Sequence, residues 1–437
     1  MRRVRAVRCA TPVHRRLVSR RCVSASAALH TAALLALVAA PGALPAQERL
    51  VGGRSVGLGM SYEEIRFGNG GLRQYNFAGV DSARVSGLRQ ISTPLSTAVS
   101  LGASWRVDVT ALFATATVSY RDAGPSGTSR SATLRGISDA RIRATGTLIP
   151  DLLVLTAGVN VPTGRTSLSN SEFGVLRILA SPSLGLGSTP VGAGASGTMG
   201  LVLARRLGPW AVAMGGSYEH RGQYQPVAAL VAGAPSADFQ PGGVMRASVT
   251  GDRLVGQHQL TVAFATDVFA SDELRTPASS GVITGAPTGR TVVRLGPVYS
   301  GDVQMLFAVP RLRQFLTYAS YRWRAPFSRD GKSVAQSSGQ YLDTGVRGSI
   351  AAGPQRDVVL GVDGRLHGGL GVDEGLPTSG VASGGLSAGL ELRRGLLSVQ
   401  PYLRAQSGVL RQRGVAAGTP SQSFGGFGGG VVAVTRF

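Results

Sequence analysis

Hydrophobic and polar residues alternate along most of this chain of 437 residues. Between Asp357 and His367, for example, Leu360 and Val362 fall on one face, and Asp363 and Arg365 fall on the other. A period of two places successive side chains on opposite faces of a β-strand. The alternation therefore predicts an all-β chain whose strands have one apolar and one polar face. It recurs in the ranges Asp139–Leu148, Trp210–Arg221, Gln314–Arg324, Tyr341–Ile350, Leu386–Arg393 and Leu397–Gln406.

The links between these strands alternate in length. Eight long segments rich in Ser, Gly, Pro and Thr, among them residues 68–84 and 121–136, are separated by seven tight links. Outer-membrane barrels show this pattern, with short turns in the periplasm and long loops outside. The pattern predicts a transmembrane antiparallel up-and-down β-barrel of sixteen strands, with fourteen as the nearest alternative. The tight links lie near Ser104, Pro150, Gly208, Val255, Pro310, Pro354 and Gly395.

A soluble β-sandwich or propeller is the competing architecture. Soluble domains bury their apolar faces, so Leu, Ile and Phe should dominate there. In this chain Ala and Gly dilute the apolar face, and 62 residues are glycine. The opposite face carries Asp, Arg, Gln and Ser, which suits a wet lumen. The sequence thus favours the barrel.

Residues 1–46 have the features of a secretory signal peptide. The segment is rich in arginine, has no acidic residue, and contains the apolar run Ala32–Ala40 before small residues that end at Ala46. The run is too short for a helical membrane span, which takes about 20 apolar residues. We therefore expect export, with residues 47–437 forming an outer-membrane barrel.

Residues suited to catalysis or to metal binding are few. Both cysteines lie in the leader, and His220, His258 and His367 each stand alone. Glu219 is adjacent to His220 in sequence, so their side chains point to opposite faces of a strand. The sequence therefore predicts no cofactor, no metal site and no catalytic residue, and the chain is not expected to be an enzyme.

Basic residues outnumber acidic residues by 45 to 23. Nucleic-acid-binding proteins concentrate Lys and Arg on one patch or helix face, whereas these arginines recur singly along the chain. We therefore expect no nucleic-acid partner.

Several charged residues fall on the polar strand faces and are predicted to face the lumen. Opposite charges two residues apart, as in Asp139 with Arg141, form ladders that set a transverse field without a strong net preference. The predicted lumen-facing residues are Asp139, Arg141, Arg143, Arg322, Arg324, Asp343, Arg347, Asp363, Arg365, His367, Glu391 and Arg404.

Aromatic residues near strand ends are predicted to form interfacial girdles. The chain also ends on Phe437, which resembles the C-terminal signal read by the barrel-assembly machinery, although Thr435 departs from that pattern. We expect that machinery to be a partner. The predicted girdle residues are Trp105, Tyr120, Trp210, Tyr218, Tyr321 and Trp323.

Two short motifs resemble a known family. The segment from Gly136 to Asp139 opens one strand, and the following strand ends in Pro162, Thr163 and Gly164. This pair of motifs resembles outer-membrane transporters grouped with the phenol meta-pathway degradation proteins, distant cousins of the fatty-acid and aromatic-hydrocarbon channels. The resemblance implies passage of small hydrophobic or aromatic compounds. This chain is longer than the usual family member, and we expect no plug segment before its first strand.

These observations together predict an outer-membrane channel for passive uptake of a small solute. The expected partners are outer-membrane lipid and the solute. A non-conducting structural or adhesive barrel and an outer-membrane hydrolase remain as alternatives. The number of strands separates them in part, since eight- or ten-stranded barrels are filled by side chains whereas sixteen strands leave a channel.

Overall fold

The computed structural model describes residues 54–437 except 69, 79, 103, 123–126, 187–189, 226–237, 277–288, 335–336, 370–377 and 413–420. The predicted signal peptide lies outside the described residues.

Strands dominate the described residues, which also contain one helix, α1 (Asn170–Leu179). The strands in chain order are β1 (Ser55–Phe67), β2 (Leu72–Phe77), β3 (Val80–Leu101), β4 (Trp105–Asp122), β5 (Ser129–Ile137), β6 (Ala140–Ile149), β7 (Leu153–Val161), β8 (Ser196–Leu207), β9 (Trp210–Arg221), β10 (Asp238–Gln240), β11 (Val244–Val255), β12 (His258–Phe269), β13 (Asp272–Thr276), β14 (Gly289–Arg294), β15 (Val298–Phe307), β16 (Leu312–Arg324), β17 (Ser328–Arg329), β18 (Lys332–Ser333), β19 (Gly339–Gly353), β20 (Arg356–Gly368), β21 (Thr378–Arg394), β22 (Leu397–Gln412) and β23 (Gln422–Arg436).

Eighteen of the described strands form one sheet that closes on itself. Strands β1 and β2 pair with successive parts of β3, and β6 and β5 pair with successive parts of β4. Strands β1 and β2 thus form one interrupted barrel strand, and β5 and β6 form another. The eighteen strands of the sheet therefore make sixteen barrel strands. Closure runs from Ser55 opposite Arg436 to Phe67 opposite Phe424. The sixteen-stranded antiparallel barrel is confirmed, and the alternatives of fourteen strands and of a soluble sandwich are wrong.

The barrel has two unlike ends. All seven predicted tight links join consecutive antiparallel barrel strands at one end, which we term the short-turn end. The other end, the long-loop end, carries a second sheet in which β10, β13, β14, β17 and β18 pair.

Two segments expected as long loops are largely strand. Residues 68–84 contain β2 and the start of β3, and residues 121–136 contain the end of β4 and most of β5. Glycine- and serine-rich composition favours loops, but here these segments extend existing strand pairs, so their backbone groups find partners across the sheet. The barrel wall is therefore taller on this side than the sequence predicts.

The outer face of the barrel carries large exposed apolar side chains. Met60, Leu203, Met214, Phe264 and Leu403 are each between 56% and 71% exposed. Monomeric soluble proteins rarely expose an apolar surface of this extent, whereas a lipid-facing band requires one. The protein is a transmembrane β-barrel located in the outer membrane. No helix among the described residues is long and apolar enough to cross a membrane.

One predicted girdle residue points the wrong way. Tyr218, Tyr321 and Trp323 are 37–49% exposed on the outer face, as a girdle requires. Tyr120 is instead 6% exposed on the inner face, where its ring packs edge-on against Phe77 at 5.0 Å. The assignment of Tyr120 to the girdle is wrong because the apolar face of β4 changes sides along the strand.

Candidate functional site

The segment between β7 and β8, described for residues 162–186 and 190–195, enters the barrel; we call it the lumen loop. Its helix, α1, contacts β2, β4 and β5. Further along, Gly185 lies against the guanidinium of Arg365 on β20, so closely that a Cβ at Gly185 would overlap it. β20 is not a neighbour of β7 or β8 in the sheet. The loop can contact both β20 and the strands around α1 only by passing through the lumen.

The amino end of α1 is closed by its own side chains. Ser169 is the N-cap, and Glu172 three residues later completes a capping box, which satisfies backbone N–H groups that the helix leaves free. Glu172 also forms an ion pair with Arg165. Burial raises the pKa of the Glu172 carboxyl, but hydrogen bonds from Ser169 and Arg165 outweigh burial and hold the pKa below its usual range.

One face of α1 is buried against the inner wall. Val175, Ile178 and Leu179 are fully buried, and a Cβ at Gly174 would lie 3.1 Å from the Phe77 ring. Each fully buried side chain of this size contributes about 1.5–3 kcal/mol. The wall supplies an apolar surface to match this face, drawn from strands on both sides of the barrel closure: Ile65, Phe67, Leu72, Val85, Ala116, Val118, Leu134, Val381, Leu410 and Phe424.

Asp139 ties the two ends of the lumen loop together. Its carboxylate is 6% exposed and accepts the Gly164 N–H at Oδ1 (3.0 Å) and the Ala193 N–H at Oδ2 (2.7 Å). The break between β5 and β6, at Ser138 and Asp139, leaves this side chain at the base of the loop. Hydrogen bonds to a charged acceptor are worth about 1.5–3 kcal/mol each.

The remaining motif residues close the same junction. The Thr163 hydroxyl accepts the Ala140 N–H (2.9 Å) and donates to the Ser138 carbonyl (3.2 Å). Gly136 lies against the carbonyl of Pro190, and a Cβ at Gly164 would be 2.6 Å from the backbone nitrogen of Gly192. These positions have no room for a side chain.

The two motifs that carry the family resemblance therefore meet in space. Pro162 ends β7 and starts the loop, and the four other motif residues form its anchor. The sequence shows the two motifs but does not indicate that they anchor the ends of the lumen loop.

The wall that faces the tip of the lumen loop is charged. Asp343 on β19 lies 3.7 Å from Arg322, 3.3 Å from Arg365 and 3.4 Å from His367. The Arg322 guanidinium stands 5.6 Å from the centre of the Tyr341 ring. Four residues expected to face the lumen thus form one cluster on three neighbouring strands, β16, β19 and β20.

Other predicted lumen residues are spread along the wall. Arg404 pairs with Asp363 at 2.8 Å, and Glu391 pairs with Arg393 at 2.8 Å. Arg143 lies opposite Asp108 in the sheet. Three more of the predicted lumen residues also lie on the inner face, outside the Asp343 cluster. They are Arg141, Arg324 and Arg347.

Ion pairs that the sequence does not reveal complete the wall. Arg246 and Asp267, on adjacent strands β11 and β12, pair through two hydrogen bonds of 2.5 and 2.7 Å. Asp357, 1% exposed near the short-turn end, pairs with Arg313 at 2.7 Å and with Arg393 at 2.6 Å. No local sequence signal indicates these pairs, because cross-strand partners become neighbours only once the strand order and register are known.

The lumen is filled unevenly. Wall residues near α1, such as Val118 and Leu134, have no exposed surface. The Arg322, Arg246 and Arg404 side chains on the other sector are 36%, 31% and 24% exposed. Sixteen strands enclose a backbone diameter of about 30 Å, and a helix occupies about 10–12 Å of it. Among the described residues, a less filled sector therefore remains beside the lumen loop, and we call it the open sector. No group of His, Cys, Asp and Glu suited to holding a metal occurs among the described residues.

Neither a protein-family model nor a curated protein matches the chain. Solved structures do match at low identity. A TodX mutant titled a monoaromatic hydrocarbon channel has 10% identity and a TM-score of 0.42, covering 89% of this chain and 91% of that one. A FadL homologue of Pseudomonas aeruginosa has 9% identity, a TM-score of 0.41 and the same coverage. An outer-membrane channel of Pseudomonas putida F1 has 12% identity and a TM-score of 0.35, covering 91% and 99%. These values assign no family.

Proposed function

We propose that this protein is a passive outer-membrane channel for small solutes of low polarity, and that the solute passes between the lumen loop and the charged wall. In this proposal the short-turn end faces the periplasm and the long-loop end faces outward, as is usual for such barrels. The observation that carries the proposal is the uneven lumen, in which one sector is packed and dry while the other keeps exposed, charged side chains.

The two sides of this passage suit a small apolar or aromatic solute. Phe173, Leu176 and Leu186 on the lumen loop are only partly buried. Beyond the loop tip lies Arg322, whose side chain is 36% exposed, whereas Arg365 is covered by the tip and is only 10% exposed. An apolar surface opposite an exposed guanidinium group favours a flat, weakly polar molecule, since cations attract the faces of aromatic rings.

The charges of the wall support a weakly selective pore. Its arginines are largely matched by carboxylates on neighbouring strands, as in the pairs Arg246 with Asp267 and Arg404 with Asp363. Among the described residues, such pairs leave no dense ring of one sign, which a dedicated anion pore requires. We expect weak anion selectivity that falls as salt screens the remaining excess charge.

The C-terminal residue supports recognition by the assembly machinery, which we propose as well. Phe437 is 69% exposed, and its N–H donates to the Arg54 carbonyl at 2.8 Å beside the closing strand pair. An exposed aromatic residue next to the last strand is available to a partner during insertion.

Liposome swelling tests the channel proposal. Protein reconstituted in liposomes should admit a small aromatic alcohol faster than a sugar alcohol of similar mass. Replacing residues 166–189 by two glycines, which keeps the Asp139 anchor but removes the helix, should raise the rate for both solutes and reduce the difference between them. Swelling no faster than that of protein-free liposomes, for both proteins, would support a structural or adhesive barrel instead.

A further inference from the structure

The outer wall carries a one-sided concentration of arginines at the long-loop end of β1–β5. All six are exposed, and their side chains point away from the lumen; we call them the arginine face. They are Arg66, Arg73, Arg84, Arg89, Arg121 and Arg135.

Register shows that these residues belong to the outer wall. Arg89 lies opposite Glu64 on β1, and Glu64 lies opposite Phe427 on β23, which is 55% exposed. On β3, Arg89 shares its face with Ile91 and Leu95, which are 42% and 44% exposed in the apolar band. The arginine face thus continues the lipid-facing surface towards the long-loop end.

Three of the arginines lie just beyond the apolar band. Arg89 is two residues past Ile91, and Arg135 is two residues past Ile137, which is 38% exposed. Two residues of a tilted strand rise about 5 Å. Arg66 on β1 lies opposite Gly87, two residues further out than Arg89, and its long side chain can reach back towards the same depth. The interfacial region adds about 5–7 Å to each side of the hydrocarbon core, so these guanidinium groups lie at the depth of lipid headgroups.

The charge of this face is poorly balanced. Glu64 is the one acid on it among the residues with described side chains, and it is shared between Arg66 at 2.6 Å and Arg89 at 3.6 Å. Above them, Arg84 lies directly opposite Arg121 in the sheet. Like charges directly opposite each other destabilise a sheet, so an anion bound between these two arginines relieves repulsion.

The same height on three strands elsewhere in the barrel looks different. Near the long-loop ends of β12, β15 and β16 the outer face presents Val268, Tyr299 and Trp323, with exposures of 37–48%. The aromatic pair Tyr299 and Trp323 stacks at 5.5 Å. Aromatic belts suit any lipid interface, whereas clustered arginines select phosphate, which the guanidinium fork binds through paired hydrogen bonds.

We propose that the arginine face binds the phosphate groups of lipid in the leaflet at the long-loop end, while the apolar band below it holds the acyl chains of the same molecule. A lipid molecule can bind the arginine face and the apolar band at once, whereas free phosphate can bind only the arginine face. This proposal is independent of whether the lumen conducts.

The test is a binding titration of the purified, folded full chain with bisphosphorylated lipid A, with its monophosphoryl form and with inorganic phosphate. The triple variant R66Q/R89Q/R135Q should bind the bisphosphorylated lipid about tenfold more weakly or worse. The control R205Q/R253Q/R394Q removes three exposed outer-wall arginines near the short-turn end and should bind like the parent. Folding is checked by the shift in gel mobility on heating.

The single variant R135Q keeps the test decisive if the triple variant does not fold, because Arg135 lies outside the Glu64 cluster. It should weaken binding measurably and leave folding intact. Equal losses in the triple variant and its control, or equal affinity for the two lipid forms, would overturn the proposal. Competition by inorganic phosphate at the same concentration as the lipid would overturn the assignment to lipid.

Discussion

Replacement of Asp139 by alanine should release the lumen loop. The substitution removes two hydrogen bonds to a buried carboxylate, from Gly164 at 3.0 Å and from Ala193 at 2.7 Å. At about 1.5–3 kcal/mol each, the loss is about 3–6 kcal/mol in the free energy that holds the loop ends to the wall. Because about 1.4 kcal/mol corresponds to a factor of ten, the displaced population should rise at least about a hundredfold.

Trypsin digestion of the folded protein measures that population. The lumen loop contains Arg165 and Arg177, which a protease larger than the lumen reaches only when the loop swings out. When opening is fast relative to cleavage, the cleavage rate follows the open population. The Asp139→Ala variant should therefore be cut in this loop about a hundred times faster than the parent.

Asp302→Ala is the matched control, since it removes a carboxylate from the inner face of β15, away from the loop ends. It should leave cleavage in the loop unchanged. Asp139→Asn should fall between the two, because an amide offers one acceptor oxygen where two N–H donors converge. Cleavage of Asp139→Ala at the rate of the parent would refute the anchoring argument.

Three further predictions concern the same passage. Gly185→Val should loosen the loop tip and raise channel conductance, because Gly185 has φ +65 and touches Arg365; unchanged conductance would contradict the contact. Because the pKa of Glu172 is lowered, its stabilisation of the loop is present above about pH 4.5 and is lost as pH falls through the lowered pKa. Conductance should therefore rise on acidification in the parent, and this rise should be smaller in Glu172→Gln. A cysteine at Asp363 should react with a charged thiol reagent, whereas one at Val362, which is 56% exposed on the outer face, should be shielded by lipid; equal reaction at both would argue against the membrane-spanning assignment.

The strand count followed from the sequence because it depends on local signals. Alternation over about ten residues and tight links such as those at Pro354 and Gly395 are set by neighbours in the chain. Each of these links joins two antiparallel strands in the structure. Local chemistry was therefore sufficient to predict the barrel and its strand count.

The lumen loop did not follow from the sequence, because its contacts are distant in the chain. Asp139 and Ala193 are 54 residues apart, and Gly185 meets Arg365 across the barrel. A capping box at Ser169 and Glu172 was a readable sign of a helix, but a helix start does not say which wall the helix will contact.

A reversal of the apolar face along two strands is a second sequence sign of the lumen loop. In the first half of β4 the outward residues Val107 and Val109 are the apolar ones, whereas in the second half the inward residues Ala116 and Val118 are apolar and buried. Strand β1 changes in the same sense, with Met60 outward and Ile65 inward. A barrel wall that turns apolar on the inside must be covered by protein, so this reversal predicts an inserted segment at that height.

Single-channel recording with a cysteine placed in the open sector tests the central claim most directly. Ser217 on β9 lies opposite Arg246 on the inner face, and Met214 on the same strand is 61% exposed on the outer face. The account predicts that a charged thiol reagent added during recording reduces the current of Ser217→Cys in discrete steps and leaves Met214→Cys unaffected. A barrel without current, or with a current that the reagent does not change in Ser217→Cys, would contradict passage through the lumen beside the loop.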